Sequence, residues 1–139
     1  MLVRDVMKKK PIRLASSSPV VDAAHQMMAA DVGAVIVEDA GRICGIVTDR
    51  DIAVRAVAGG LNPETTPLSE ICSKELATLS PDDDLERAAE VMRSKAVRRV
   101  PVVDVHGKAL GIVSLGDLAV ESDPLSVLGA ISAARPSRR

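Results

Sequence analysis

The sequence predicts an α/β (α+β) protein made of two copies of one unit, each a small three-stranded sheet with helices, packed about a pseudo-two-fold axis. Three observations carry this. Sliding the chain against itself by 65 residues sets VRDVM (3–7) on LSEIC (68–72), Leu14 on Leu79, Ala23 and Ala24 on Ala88 and Ala89, Met27 on Met92, Val32 on Val97 and Asp39 on Asp104. Past one inserted residue near Val105 and His106 the offset becomes 66, and Gly45-Ile46-Val47 falls on Gly111-Ile112-Val113 and Asp51 on Asp117. Within each copy the apolar residues recur first at helical and then at strand spacing. The chain is also 47% hydrophobic without one Phe, Tyr or Trp, so its core must come from Val, Ile, Leu, Ala and Met, side chains suited to close-packed strand–helix layers.

Each copy reads as α-β-α-β-β-α. A short helix opens it, then an extended piece, PIRLA (11–15) or LATLS (76–80). Ser18-Pro19 and Ser80-Pro81 predict the next helix start, with Ser as N-cap and Pro at the first helical position. Val20, Ala23, Ala24, Met27 and Met28, and Leu85, Ala88, Ala89 and Met92, form the apolar faces. Strand pairs follow at 34–39 and 42–48, and at 100–105 and 109–114, joined at Gly41 and Gly107. A last helix begins at Thr48 or Ser114. The copies span 1–58 and 68–122, with a Gly- and Pro-rich linker at 59–67. Residues 125–134, LSVLGAISAA, predict a further helix within a C-terminal part at 123–139, and RPSRR a frayed tail. Copies of this size bury little core alone, which is the reason to expect them packed together.

The formal net charge is −1, which gives no electrostatic case for nucleic acid or membrane surfaces. The missing aromatic side chains remove the usual stacking platform for single strands. No run reaches the roughly 18 apolar residues of a membrane span, and the N-terminus lacks the apolar run of a secretory signal, so a cytoplasmic protein is expected. The cysteines, Cys44 and Cys72, have no CxxC spacing; Cys44 in RICGIV reads as buried and Cys72 as the more exposed. His25 and His106 have no metal-ligand spacing to a partner. Asp82-Asp83-Asp84 fits the first turn of a helix and offsets its dipole. Met27, Met28 and Met92 keep helical spacing and read as core filler. Asp49 and Asp51 diverge at a helix start, and no serine has a nucleophile context, so no enzyme is expected.

The repeated motifs GIVTDRD (45–51) and GIVSLGD (111–117) admit two readings. Thr48 with Asp51, and Ser114 with Asp117, have the spacing of a capping box. They also stand at a strand end and helix start, where free N–H groups favour an anion and an aspartate can accept two vicinal ribose hydroxyls.

These residues resemble the cystathionine-β-synthase (CBS) domain pair, or Bateman module, over about residues 1–122. The motifs fit the family pattern Gly-apolar-apolar-(Thr/Ser)-x-x-Asp; VRRVPVVD (97–104), MKKKPI (7–12) and DLERAAEVM (84–92) agree with it. The resemblance implies a regulatory ligand of adenosine type: AMP, ADP, ATP or S-adenosylmethionine, with no cofactor required. It places Asp51 and Asp117 on ribose hydroxyls, Thr48 and Ser114 near ribose or phosphate, and Arg98 and Arg99 on phosphates. Ile12, Arg13 and Val32, and Ala77, Thr78 and Val97, match the adenine positions. Gly33-Ala34 replaces the arginine pair in the first copy, where Arg13 or Arg50 could substitute, so the second site is expected to hold phosphate better. The resemblance also implies a homodimer formed through helices, and action on a separate target protein. Two other readings stay open: a constitutive dimeric adaptor with empty clefts, and a redox- or metal-responsive protein using Cys44 and Cys72.

Overall fold

In the computed structural model, which describes residues 1–122 and 127–134, the first copy runs α1 (Val3–Val6), β1 (Lys8–Lys9), β2 (Arg13–Ala15), α2 (Val20–Ala30), β3 (Ala34–Asp39), β4 (Arg42–Thr48) and α3 (Asp49–Asp51), which continues as a π-helical stretch, Ile52–Val57. A 3₁₀ turn, Leu68–Glu70, opens the second copy. It continues through α4 (Leu85–Lys95), β5 (Arg99–Val103), β6 (Ala109–Ser114) and α5 (Leu115–Ser122), and α6 (Val127–Ala133) follows. Two three-stranded sheets form, in the orders β2-β3-β4 and β1-β6-β5. The expected helix at 125–134 is represented by α6, while the expected frayed tail (135–139) lies outside the described residues.

The compact units do not follow the sequence copies. One comprises Met1–Lys9, Ala77–Asp104 and the described residues from Leu110 onward; the other comprises Lys10–Leu76 and Val105–Ala109. Each unit thus contains the opening segment of the other copy. In the first unit, β1 pairs antiparallel with β6, Lys8 opposite Ile112 and Lys9 opposite Gly111, and Val3 is wholly buried with Leu79, Ala88, Val100, Val102 and Val113. In the second, Ser73 bridges Ile46, and Leu68, Ile71 and Cys72 are buried with Val20, Val35, Val37 and Val47. The matched positions keep the sequence offset, Lys8 with Ser73 and Ile112 with Ile46, so the duplication extends to tertiary pairing.

This pairing explains the glycine of the repeated motif. A Cβ on Gly111 would sit 2.7 Å from the Lys8 carbonyl oxygen and 2.8 Å from the Met7 sulfur. One on Gly45 would sit 2.7 Å from the Cys72 sulfur and 3.1 Å from the Ser73 carbonyl oxygen. In both sheets the opening segment approaches a strand backbone too closely for a side chain.

Several local expectations change. Helix α2 starts at Val20 with Pro19, not Ser18, at the cap position. Its first N–H groups are satisfied from the supposed linker, Val20 N–H by the Thr66 carbonyl (2.9 Å) and Val21 N–H by the Pro63 carbonyl (2.9 Å). Orphan donors so occupied need no hydroxyl cap. Helix α4 starts at Leu85, five residues after Ser80, and Asp84 caps it by accepting from Arg87 N–H at 2.8 Å. The acidic run therefore precedes the helix: Asp83 accepts from Ser80 N–H (2.8 Å), and Asp82 pairs with Arg4. The extended piece at 76–80 contributes a single parallel bridge, Leu79 with Val102, and the third strand of that sheet is β1. Between β3 and β4, Ala40 and Gly41 form a two-residue turn with φ of 50° and 77°, the left-handed backbone that suits the strand twist.

Gly111→Ala is expected to cost about 1–3 kcal/mol, the range for overpacking against atoms that cannot retreat. A denaturant titration with an unchanged midpoint would show that the opening segment moves aside freely.

Candidate functional site

Each unit gathers its motif residues at one end of its own sheet. In the first copy, Ala34 at the start of β3 pairs with Thr48 at the end of β4. The Gly33 carbonyl accepts from Asp49 N–H (3.0 Å), holding the β3 entry against the start of α3. Strand β2 runs parallel to β3, and the Ile12 carbonyl accepts from Ile36 N–H (2.8 Å). In the second copy the Arg98 carbonyl accepts from Leu115 N–H (2.8 Å), and Leu79 N–H donates to the Pro101 carbonyl (2.9 Å). Ile12, Arg13, Val32, Thr48 and Asp51 therefore share one unit, and Ala77, Thr78, Val97, Arg98, Arg99, Ser114 and Asp117 the other.

Both capping boxes are complete. Thr48 N–H donates to Asp51 Oδ2 at 2.9 Å, and Asp51 N–H donates back to Thr48 Oγ1 at 3.2 Å. Ser114 and Asp117 repeat this at 2.9 and 3.1 Å. Each acid spends Oδ2 on the cap. A carboxylate offers about four lone-pair sites, so the cap leaves Oδ1 as an acceptor.

The surroundings differ between the copies. The expectation of free N–H groups at the helix start fails in the first, because Asp49 N–H goes to Gly33, Arg50 N–H to the Asp49 carboxylate (2.9 Å) and Asp51 N–H to Thr48. In the second copy residue 115 is leucine and offers no carboxylate to Gly116 N–H. Val32 and Val97 stand at matched positions, each 37% exposed, one residue before the Gly33 and Arg98 carbonyls that accept from Asp49 and Leu115. Ile12 and Ala77 turn partly into their cores. Thr78 and Arg98 are exposed, whereas Arg99 is half-buried in β5 and already engaged within the protein. Arg13 donates Nη1 to the Ala109 carbonyl at 2.9 Å, which commits part of the guanidinium offered as a phosphate substitute.

One residue was missed by the sequence reading. Arg55 Nε lies 3.7 Å from Asp51 Oδ1, and its Nη1 donates to the Ile71 carbonyl at 3.1 Å. The i, i+4 spacing of Asp51 and Arg55 was the available signal.

Two α/β units of one pattern, each ending its last strand in a hydroxyl–acid box, define a class of duplicated modules. The CBS domain model matches residues 3–57 and 68–122, and the chain belongs to the CBS domain family as a tandem pair. Among its relatives, CBS domain-containing protein YhcV of Bacillus subtilis is 40% identical over 118 residues, covering 85% of this chain and 83% of that protein. Hypoxic response protein 1 of Mycobacterium tuberculosis is 32% identical over 117 residues, covering 84% and 81%. The crystal structure of the CBS domain pair of protein MJ0100, in complex with 5′-methylthioadenosine and S-adenosyl-L-methionine, superposes with a TM-score of 0.81 at 27% identity, covering 91% and 98%. A structure of Hypoxic Response Protein I with two coordinated zinc ions gives a TM-score of 0.78 at 30% identity, covering 86% and 97%.

The cysteines reverse their expected burial: Cys72 is 6% exposed beside Gly45, and Cys44 is half-buried. Both are free thiols. Among the described residues no group of three His, Cys, Asp or Glu side chains is placed to hold a metal ion. Burial raises both thiols above their ordinary value, and the neighbouring Asp39 carboxylate raises Cys44 further. The folded chain therefore keeps these protons where the unfolded chain has begun to lose them. Their contribution to stability is complete below about pH 8.5 and is lost as pH rises through the folded values. Native protein at pH 8 is expected to react with a maleimide more slowly than denatured protein, and its melting temperature to fall more steeply above pH 8.5 than that of the Cys44→Ala, Cys72→Ala variant. Equal alkylation rates, or parallel pH profiles, would contradict this.

Proposed function

We propose that this protein is a non-enzymatic regulatory module that binds an adenosine-type ligand, AMP, ADP, ATP or S-adenosylmethionine, and acts on a separate target protein. The observation that carries the reading is the matched pair of capped carboxylates, Asp51 and Asp117, each using Oδ2 for its cap, with Asp117 making no ion pair among the described residues and Val32 and Val97 part-exposed at matched positions before the strand entries. A vicinal diol needs such an acceptor, and an adenine ring needs apolar surface. The complexes of the MJ0100 domain pair with two adenosyl compounds support this ligand class. Ser114, Arg98, Arg99, Thr78, Ala77 and Val97 would line the site with Asp117; Thr48, Ile12, Arg13 and Val32 the one with Asp51. The ligand is a signal here and no cofactor is required.

Self-association through helices belongs to the same reading, supported by Val54 and Val57, 51% and 71% exposed on the π-helical stretch. So does a cytoplasmic location; among the described residues no helix is long and apolar enough to cross a membrane.

Calorimetric titration with AMP, ATP and S-adenosylmethionine tests the reading. At least one is expected to bind, with Asp117→Asn weakening it about 10- to 100-fold, the range for losing a charged hydrogen-bond acceptor. Asn keeps an oxygen for the cap, so the fold should persist, and Glu86→Gln on the exposed side of α4 should bind as the parent does. No binding of any of the three compounds would defeat the proposal.

A further inference from the structure

We propose that Arg55 makes the two copies unequal by holding the Asp51 carboxylate, so that an adenosyl ligand engages Asp117 more tightly than Asp51. This rests on the adenosine reading above.

In the first copy the motif is satisfied from within twice over. Asp51 Oδ2 accepts from Thr48 N–H, and the remaining oxygen faces Arg55 Nε at 3.7 Å. The guanidinium is not free to swing away, because its Nη1 is held by the Ile71 carbonyl at 3.1 Å. Ile71 is itself wholly buried, in the core of the same unit. The Asp51 side chain is only 13% exposed, so the attraction is less screened than on an open surface. The Asp49 carboxylate also takes the Arg50 N–H, removing a donor that a phosphate would use.

The second copy lacks both devices. The offset of 66 sets Glu121 where Arg55 stands and Leu115 where Asp49 stands. Among the described residues no ion pair is made by Asp117. Residues Asp117 and Glu121 share a face of α5, and Glu121 is exposed, so a cation introduced there would meet the acid as Arg55 meets Asp51. A carboxylate already drawn to a guanidinium has less to offer a ribose hydroxyl. A partly exposed pair accounts for about a fivefold difference in affinity.

The test isolates each copy. With Asp117→Asn in place, titration of S-adenosylmethionine and ATP reports on the first copy; adding Arg55→Gln should tighten binding about fivefold, and Arg55→Lys, which keeps the charge but not the fork held by Ile71, should tighten it less. The tightening should shrink as salt rises from 0.05 to about 0.5 M, because the competition is electrostatic, whereas a purely structural role for Arg55 would not give that dependence. With Asp51→Asn in place, Glu121→Arg should weaken binding to the second copy about fivefold; Glu121 is exposed and makes no ion pair among the described residues. Unchanged or weaker binding in Arg55→Gln together with no effect of Glu121→Arg overturns the role of Arg55 while leaving the adenosine reading intact. Absence of binding in the parent protein overturns the adenosine reading itself and this inference with it.

Discussion

The close approach of each opening segment to a strand of the opposite copy is the constraint on which the rest of the structure depends. A β-carbon at Gly111 would lie 2.7 Å from the Lys8 carbonyl oxygen, and one at Gly45 the same distance from the Cys72 sulfur. Only glycine permits these contacts. They bring Val3 into one core and Leu68, Ile71 and Cys72 into the other. Each core therefore takes residues from both copies, and neither is drawn from one contiguous stretch of sequence. The segment at 59–67 takes part in this arrangement, since its carbonyls occupy the first donors of α2; it is a structural cap that also joins the copies.

The motif at the strand end combines two kinds of demand. Its glycine serves the crossing segment, and its hydroxyl and acid close a capping box. Such caps contribute about 0.5–2 kcal/mol, enough reason for both residues without any ligand. The box nevertheless uses only one oxygen of each acid. It also fixes the carboxylate's position through two reciprocal hydrogen bonds, so the second oxygen is placed without further ordering cost, facing Arg55 in Asp51 and with no ion pair among the described residues in Asp117. On the proposed reading, stability and recognition would draw on the same side chain, the cap supplying the preorganisation of the ribose contact.

Much of the architecture was legible in the sequence. The duplication, the strand pairs and the helix starts at Thr48 and Ser114 depend on local spacing, which the sequence displays directly. The exchange of opening segments was not legible, because an offset between copies is the same whichever copy a segment packs on. The start of α2 was displaced from Ser18-Pro19 because carbonyls from Pro63 and Thr66 reached the helix first, a tertiary contact that no local signal reveals. Ser80-Pro81 failed for another reason: Asp83 and Asp84 offered stronger caps nearby, one closing a turn and the other starting α4. The burial of Cys44 and Cys72 was reversed for the same cause as the segment exchange, since Cys72 is covered only when its segment lies against Gly45. Among the candidate site residues, Asp51 and Asp117 were visible through their repetition. Arg55 was visible only as an i+4 neighbour without a counterpart in the second copy.

That missing counterpart indicates where divergence acts in a duplicated fold. The backbone contacts recur pair by pair: Leu68 N–H to the Ser18 carbonyl and Val3 N–H to that of Asp83, both at 2.8 Å, and Asp49 N–H to Gly33 and Leu115 N–H to Arg98. A change to any of these would damage a core or a cap that both units need. The residue pairs Gly33 and Arg98, Asp49 and Leu115, and Arg55 and Glu121 differ in charge between the copies, while the backbone bonds at these places are kept. Duplication with exchanged segments thus holds the frame constant while leaving the electrostatics of each acid free to drift. Two motifs of one backbone geometry thereby come to present their carboxylates in different charge surroundings, Asp51 beside Arg55 and Asp117 four residues before Glu121.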